Sequence, residues 1–294
     1  EAANKQKGWN NVPQDSVSDL AETIVQQAFD ESDSLKTSPS EKYRILKHLD
    51  FGGQSDIYLA ERSDGIYQKT VIIKYISQVH QHAGSKQQFL QEMQMLADLN
   101  HPGVVGILDG GLTDQGQPWL VLDYIEGDHI DQYCSKLQST DKDIIKLIID
   151  LCDALRFVHQ RGVLHLDIKP SNVLIKTINK IPYPVLIDFG IAKSTVMTDK
   201  TMHGQLAGKF KFISPEQLGH FGGEIGPRTD IYGLGLLMAA ALRGEPIDMG
   251  SSVVEAVDAR RGIPDLTDID MALRPLIAHM LEPNPADRPA TMSD

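Results

Sequence analysis

The sequence predicts an α+β chain in which a small antiparallel β lobe carrying one helix leads into a larger, mainly helical lobe. Three observations carry this reading. From Tyr43 to Ile76, short β-branched runs are broken by Gly and Asp, as in a β meander. After Glu126-Gly127-Asp128 the apolar period lengthens to that of helices. The 294 residues, 41% hydrophobic and 23% charged, suffice for two lobes with a shared cleft and exclude both a disordered chain and a disulfide-stapled miniprotein.

The elements follow in order, with boundaries expected at 1–40, 41–125 and 126–294. Residues 1–40 form an acidic extension, with seven acids against Lys5, Lys7 and Lys36. Within it Leu20, Ile24, Ala28 and Phe29 recur at helical spacing, which predicts an amphipathic helix over Ser16 to Asp30. Two uses for that helix compete: a prop docked on the small lobe, or a regulatory element. Strands are expected at Ile45 to Leu49, Ile57 to Ala60 and Thr70 to Ile76, then a helix from Lys86 to Leu99 with Phe89, Met93 and Leu96 on one stripe. Two further strands fall near Val104 to Leu108 and Trp119 to Tyr124. Helices are expected over Ile130 to Leu137, Lys142 to Gln160, Arg228 to Arg243, Val253 to Arg261 and Met271 to Leu281, with Gly and Pro between them. The second of these leaves almost no polar face and should be buried. The closing stretch from Asp287 reads as the start of another helix, so the chain is expected to be a piece of a longer protein.

Charge and cysteine usage narrow the partners. Lys+Arg 28 against Asp+Glu 40 gives a net charge of −12, which argues against nucleic acid or anionic membrane as the main partner. Cys134 and Cys152 have no CxxC or Cys/His spacing, so zinc is disfavoured and a reducing, cytoplasmic setting is expected. The longest uncharged apolar-rich run, Ile231 to Leu242, is well short of the roughly 18–20 residues that span a bilayer.

The strongest chemical signal is His165-Leu166-Asp167-Ile168-Lys169-Pro170-Ser171-Asn172, followed by Val173-Leu174-Ile175 and, sixteen residues after Asn172, by Asp188-Phe189-Gly190. Phosphoryl transfer to a hydroxyl needs a carboxylate to orient the nucleophile, a cation beside the phosphate and oxygen ligands for Mg2+. This pair of segments resembles the catalytic and metal-binding loops of the protein kinases. The resemblance extends over Tyr43 to Asp294: Val71-Ile72-Ile73-Lys74 on a strand, Glu92 on the next helix, Trp119 to Gly127 as the hinge, Ser214-Pro215-Glu216, Asp230 to Gly235, and Arg288. In detail the chain is similar to the eukaryotic-like (Hanks-type) bacterial serine/threonine kinases, through Asp109 to Thr113, Asp131 to Cys134 and Lys169 to Asn172.

The resemblance implies a two-lobed kinase fold and an enzyme using ATP and Mg2+ to phosphorylate Ser/Thr in protein substrates, itself included. Asp167 would accept the hydroxyl proton, Lys169 would sit by the γ-phosphate, and Asn172 and Asp188 would hold Mg2+. Lys74 would contact phosphates under a Glu92 ion pair. Gly52 and Gly53 would cover the phosphates, while Ile57, Ile72, Leu122, Asp123, Ile125 and Leu174 would surround the nucleotide base. Glu216 would pair with Arg288, and Asp230 would brace the catalytic loop. Thr195, Thr198 and Thr201 become candidate phosphosites.

The sequence departs from the family pattern at several points. Asp50 and Ser55 replace two glycines of the phosphate loop, and Ile72 replaces the usual alanine, narrowing the base pocket. Leu166 replaces the arginine that grips an activation-segment phosphate, so activity is expected not to depend on that phosphate. Lys209 replaces a threonine; with Lys211 it is expected to contact acidic substrates, or alternatively to pair with Asp167 and block the site. These departures motivate the alternative of a nucleotide-binding pseudokinase scaffold.

Overall fold

The computed structural model describes residues 39, 42–52, 55–76, 91, 93–189 and 210–294. Five strands, β1 (Tyr43–Gly52), β2 (Ser55–Arg62), β3 (Thr70–Ile76), β4 (Ile107–Leu112) and β5 (Pro118–Asp123), form one antiparallel sheet in the order β1-β2-β3-β5-β4. Its register opposes Ile57 to Lys74 to Leu120, and Leu59 to Ile72 to Leu122. Opposed side chains share a face, and so do alternate residues along a strand, so these six point to one side. The other side is an apolar cluster of Ala60, Val71, Ile73, Trp119 and Val121 under Tyr43.

The strand expected near Val104 to Leu108 begins later, at Ile107. Val104 instead bridges in parallel to Leu186, and Val105 N–H donates to the Leu186 carbonyl at 2.9 Å. An apolar run identifies extended chain but not its partner. A second, three-stranded sheet, β6 (Asp128–His129), β7 (Val173–Ile178) and β8 (Ile181–Leu186), was not expected from the sequence. Pro182 and Pro184 obscure it, yet β8 is an edge strand, where proline is tolerated.

The helices are α1 (Ile130–Leu137), α2 (Asp141–His159), α3 (Pro227–Arg243), α4 (Val253–Ala259) and α5 (Arg274–Met280). Residues 93–97 are also helical, within the stretch expected from Lys86. Thr140 starts α2 with a capping box, its hydroxyl accepting from Asp143 N–H while the Asp143 carboxylate accepts from Thr140 N–H. Contrary to the expectation, α2 is not buried all round: Lys142, Lys146, Ile149, Asp153 and Arg156 make a solvent stripe, with Ile149 61% exposed. The helix enclosed on every side is α3, buried continuously from Thr229 to Ala241. The closing stretch makes a 3-10 turn, Pro285–Asp287, with no helix over 288–294. Leu96, Leu99 and Val104 join the core built by α2 and α3, so the first lobe closes the back of the cleft with residues rooted in the second lobe's core. Among the described residues no helix is long and apolar enough to cross a membrane.

Candidate active site

The loop before β7 is shaped by its own sequence. Pro170 keeps Lys169 extended, at φ −161° and ψ 160°, because a residue preceding proline is pushed out of the helical region. The 3-10 turn Pro170–Asn172 then folds Asn172 back onto Asp167. The buried Asn172 amide donates to the Asp167 carbonyl at 2.8 Å and to its Oδ2 at 3.0 Å, and Lys169 Nζ meets the same Oδ2 at 2.9 Å. Ile187 N–H donates to the Asn172 carbonyl at 3.1 Å, which ties the residue before Asp188 to this loop. Asp188 in turn faces Lys74 of β3, Oδ1 to Nζ 2.5 Å, across the cleft between the lobes.

Behind the loop, the buried Asp230 of α3 accepts from His165 N–H at 2.8 Å and Leu166 N–H at 2.7 Å, and lies 2.8 Å from His159 Nε2. Leu166 is held at φ 61°, a left-handed conformation costing an L-residue roughly 1–2 kcal/mol. Its carbonyl accepts from Gln217 Nε2 at 2.9 Å, so both of its main-chain polar groups are tethered. Gln217 Oε1 accepts from Ser214 N–H at 3.0 Å. The neighbouring Glu216 forms a two-pronged ion pair with Arg288, at 2.8 and 3.0 Å, with both side chains fully buried. The Arg288 guanidinium lies over the Tyr232 ring, and burial pushes the Tyr232 phenol up to about 12.

Of the residues expected around the nucleotide, Lys74, Leu122 and Asp188 line one cavity, whose inner wall is Leu96, Leu120, Ile187 and Phe189. Ile57 and Ile72 share the sheet face of Lys74 and Leu122 but do not line that cavity. Asp123 and Ile125 are half-buried on the connection between lobes, where Lys69 Nζ meets Asp123 Oδ1 at 2.7 Å. Leu174 is half-buried on β7, opposite His129 and Val185, between the buried Val173 and Ile175. Gly52 ends β1 opposite Ser55. Gly53, Glu92, Thr195, Thr198, Thr201 and Lys209 lie outside the described residues, as does the segment expected to be helical over 16–30. Sequence reasoning did not identify Gln217, His159 or Arg260. Gln217 directly follows Ser-Pro-Glu, a position that carries no signal of its distant partner, the Leu166 carbonyl.

Comparisons with known proteins bear on the family and the fold. The protein kinase domain model matches residues 43–293. The serine/threonine-protein kinase PknB of Mycobacterium tuberculosis is 32% identical over 222 residues, covering 73% of this chain and 34% of that protein. The serine/threonine-protein kinase pkn3 of Myxococcus xanthus is 28% identical over 266 residues, covering 85% of this chain and 48% of that protein. The chain thus spans from about a third to under half the length of these curated relatives. Among solved structures, the Mycobacterium tuberculosis PknI kinase domain superposes with a TM-score of 0.64 at 23% identity, covering 85% of this chain and 92% of that one. Rad53 1-466 in complex with AMP-PNP gives a TM-score of 0.71 at 21% identity, covering 88% and 65%. These two show the fold. With two lobes, a cleft between them and an ordered set of loop residues facing it, the chain belongs to the protein kinase family, on its eukaryotic-like bacterial serine/threonine branch.

Proposed function

We propose that this chain transfers the γ-phosphate of ATP, with Mg2+, to serine or threonine hydroxyls of protein substrates. The observation that carries this reading is the convergence of Lys169 and Asn172 on one Asp167 oxygen, at 2.9 and 3.0 Å, beside an Asp188 that Lys74 engages at 2.5 Å. Asp167 orients the acceptor hydroxyl and takes its proton, while Lys169 and Lys74 stabilise charge on the phosphoryl oxygens. The base lies against Ile57, Ile72 and Leu174 and bonds to main-chain groups of Asp123 and Ile125, with Leu122 behind it; Gly52 and Gly53 cover the phosphates, and Glu92 orients Lys74. Residues 41–125 supply the nucleotide site, 126–294 the catalytic loop and peptide platform, and 1–40 a separate extension. The complex of Rad53 with AMP-PNP and the serine/threonine-protein kinase names of the curated relatives support this reading.

The donor set suits Mg2+. Asn172 commits its side-chain nitrogen to Asp167, which leaves its side-chain Oδ1 for a cation, and Asp188 adds a carboxylate. Hard oxygen donors of this kind fit Mg2+, which takes one or two carboxylates and completes its shell with phosphates and water. Among the described residues no three His, Cys, Asp or Glu side chains gather into a closed cage. When bound, Mg2+ would neutralise charge on the phosphate oxygens.

Incubation with γ-labelled ATP, Mg2+ and myelin basic protein tests the proposal. Label on serine or threonine is expected, falling about 10²–10⁴-fold in Asp167→Ala, as for loss of a general base. Nucleotide binding without label would make the chain a scaffold instead. Label on Thr195, Thr198 or Thr201 would record autophosphorylation, and unchanged transfer after phosphatase treatment is expected from Leu166.

A further inference from the structure

Arg260, the residue that caps α4, is fully buried and among the largest side chains with no exposure. A lone guanidinium is costly to remove from water, and buried arginines are normally paired with a carboxylate. Among the described residues none is in ion-pair range of Arg260, and burial pulls its pKa below the usual arginine value. Main-chain carbonyls fill the fork instead. Nε donates to Ile213 at 2.6 Å, Nη2 to Phe210, and Nη1 to Ala256 at 2.8 Å and Met249 at 3.1 Å.

The Ala256 bond closes the C-terminal end of α4, as a cation there is often recruited to do, and the Met249 bond ties that end to the loop before the helix. The other two reach 47 and 50 residues back, to the 3-10 turn Phe210–Phe212 and the residue after it. That turn buries Phe210 and exposes Lys211. It runs directly into Ser214, whose N–H is held by Gln217, the side chain that also holds Leu166 next to Asp167. A desolvated charge and two directional bonds therefore fix the main chain of a surface turn hydrogen-bonded, through one glutamine, to the catalytic loop.

We propose that Arg260 is a positioning residue for the protein substrate: it holds the 210–213 turn from beneath so that an acceptor segment can be laid beside Asp167. This rests on the kinase reading, and the test separates the two. Arg260→Lys keeps a cation but loses the planar fork, and Arg260→Gln removes the charge. In the nucleotide-free protein, Arg260→Lys is expected to speed amide hydrogen exchange across 210–217 about tenfold, as for loss of one charge-assisted hydrogen bond, with exchange in α3 unchanged. In turnover, KM for myelin basic protein is expected to rise about five- to tenfold, with KM for ATP within about twofold of wild type. Unchanged exchange at 210–217 in the lysine variant overturns the proposal. So does a rise of both KM values together, which is the mark of a merely destabilised fold. If the glutamine variant does not fold, the lysine variant decides. If wild type transfers no phosphate, the kinase reading fails alone, and exchange together with fluorescence anisotropy of labelled myelin basic protein binding decides the role of Arg260.

Discussion

The backbone of Leu166 is secured by two side chains, one carboxylate and one amide. Asp230 takes its N–H and Gln217 gives a bond to its carbonyl. Truncating Gln217 removes the second tether, leaving a left-handed leucine held on one side only. Gln217→Ala is expected to lower kcat about tenfold with a small change in Tm, since the glutamine is half-buried and the loss falls on loop geometry. Steady-state kinetics with a thermal melt check this; a large Tm drop with unchanged kcat would make Gln217 a fold residue only. The shape of the loop from Asp167 to Asn172 was legible because its contacts are local: Pro170 sets Lys169, and Asn172 reaches back five residues to Asp167. Gln217 was not legible, because an amide after Ser-Pro-Glu says nothing about which distant carbonyl it will find.

At the scale of elements, Ile130–Leu137 matches the expected boundaries to the residue, because Gly127-Asp128 precedes it and a left-handed Gln138, at φ 46°, ends it. Burial was harder to read than helicity. On α2, Ile149 is apolar yet faces water, whereas α3 is enclosed although Gly233 and Gly235 weaken its helix propensity. A Cβ on Gly235 would stand 3.0 Å from both Leu281 and Met280, so close packing rather than propensity governs that helix. The connection between lobes is equally tight: a Cβ on Gly127 would lie 2.2 Å from the Ile175 carbonyl oxygen of β7. Gly127→Ala is expected to cost about 1–3 kcal/mol by overpacking, read by denaturant unfolding, and to shift the Asp123 to Ile125 segment, read as a higher KM for ATP. On α2, burial raises the Cys152 thiol from 9.0 to about 11. The folded form therefore holds its proton longer than the unfolded one, so this contribution is intact below pH 9.0 and is lost as pH rises towards about 11. Unfolding free energies from pH 8 to 11 should fall more steeply in wild type than in Cys152→Ala; parallel curves would rule the effect out.

For the whole molecule, the large lobe is locked by a desolvated ion pair between residues 72 apart, Glu216 and Arg288, whose guanidinium also bonds the carbonyls of Arg228, Glu282 and Pro283. Removing one partner of such a pair strands the other charge. Glu216→Gln is therefore expected to destabilise the protein by about 3–5 kcal/mol, with little dependence on salt. By contrast, Glu61→Gln at the exposed Arg44 pair should cost under about 1 kcal/mol. Parallel thermal melts at low and high ionic strength measure both. Similar small losses at the two sites would mean that the Glu216 pair carries no more weight than a surface bridge.

What the sequence determined by itself was local: strand and helix periods, the turn that Pro170 imposes, and the ordered spacing of Lys74, Asp167, Asn172 and Asp188 that marks the family. Only the tertiary structure decided that Lys74 meets Asp188, 114 residues away, that Val104 pairs with Leu186, and that Arg260 lies buried beneath Phe210 and Ile213. The reason is physical. Periodicity and spacing are written in side chains, but the acceptors that hold Arg260 to the 210–213 turn are main-chain carbonyls, identical at every position, and only the folded chain selects among them.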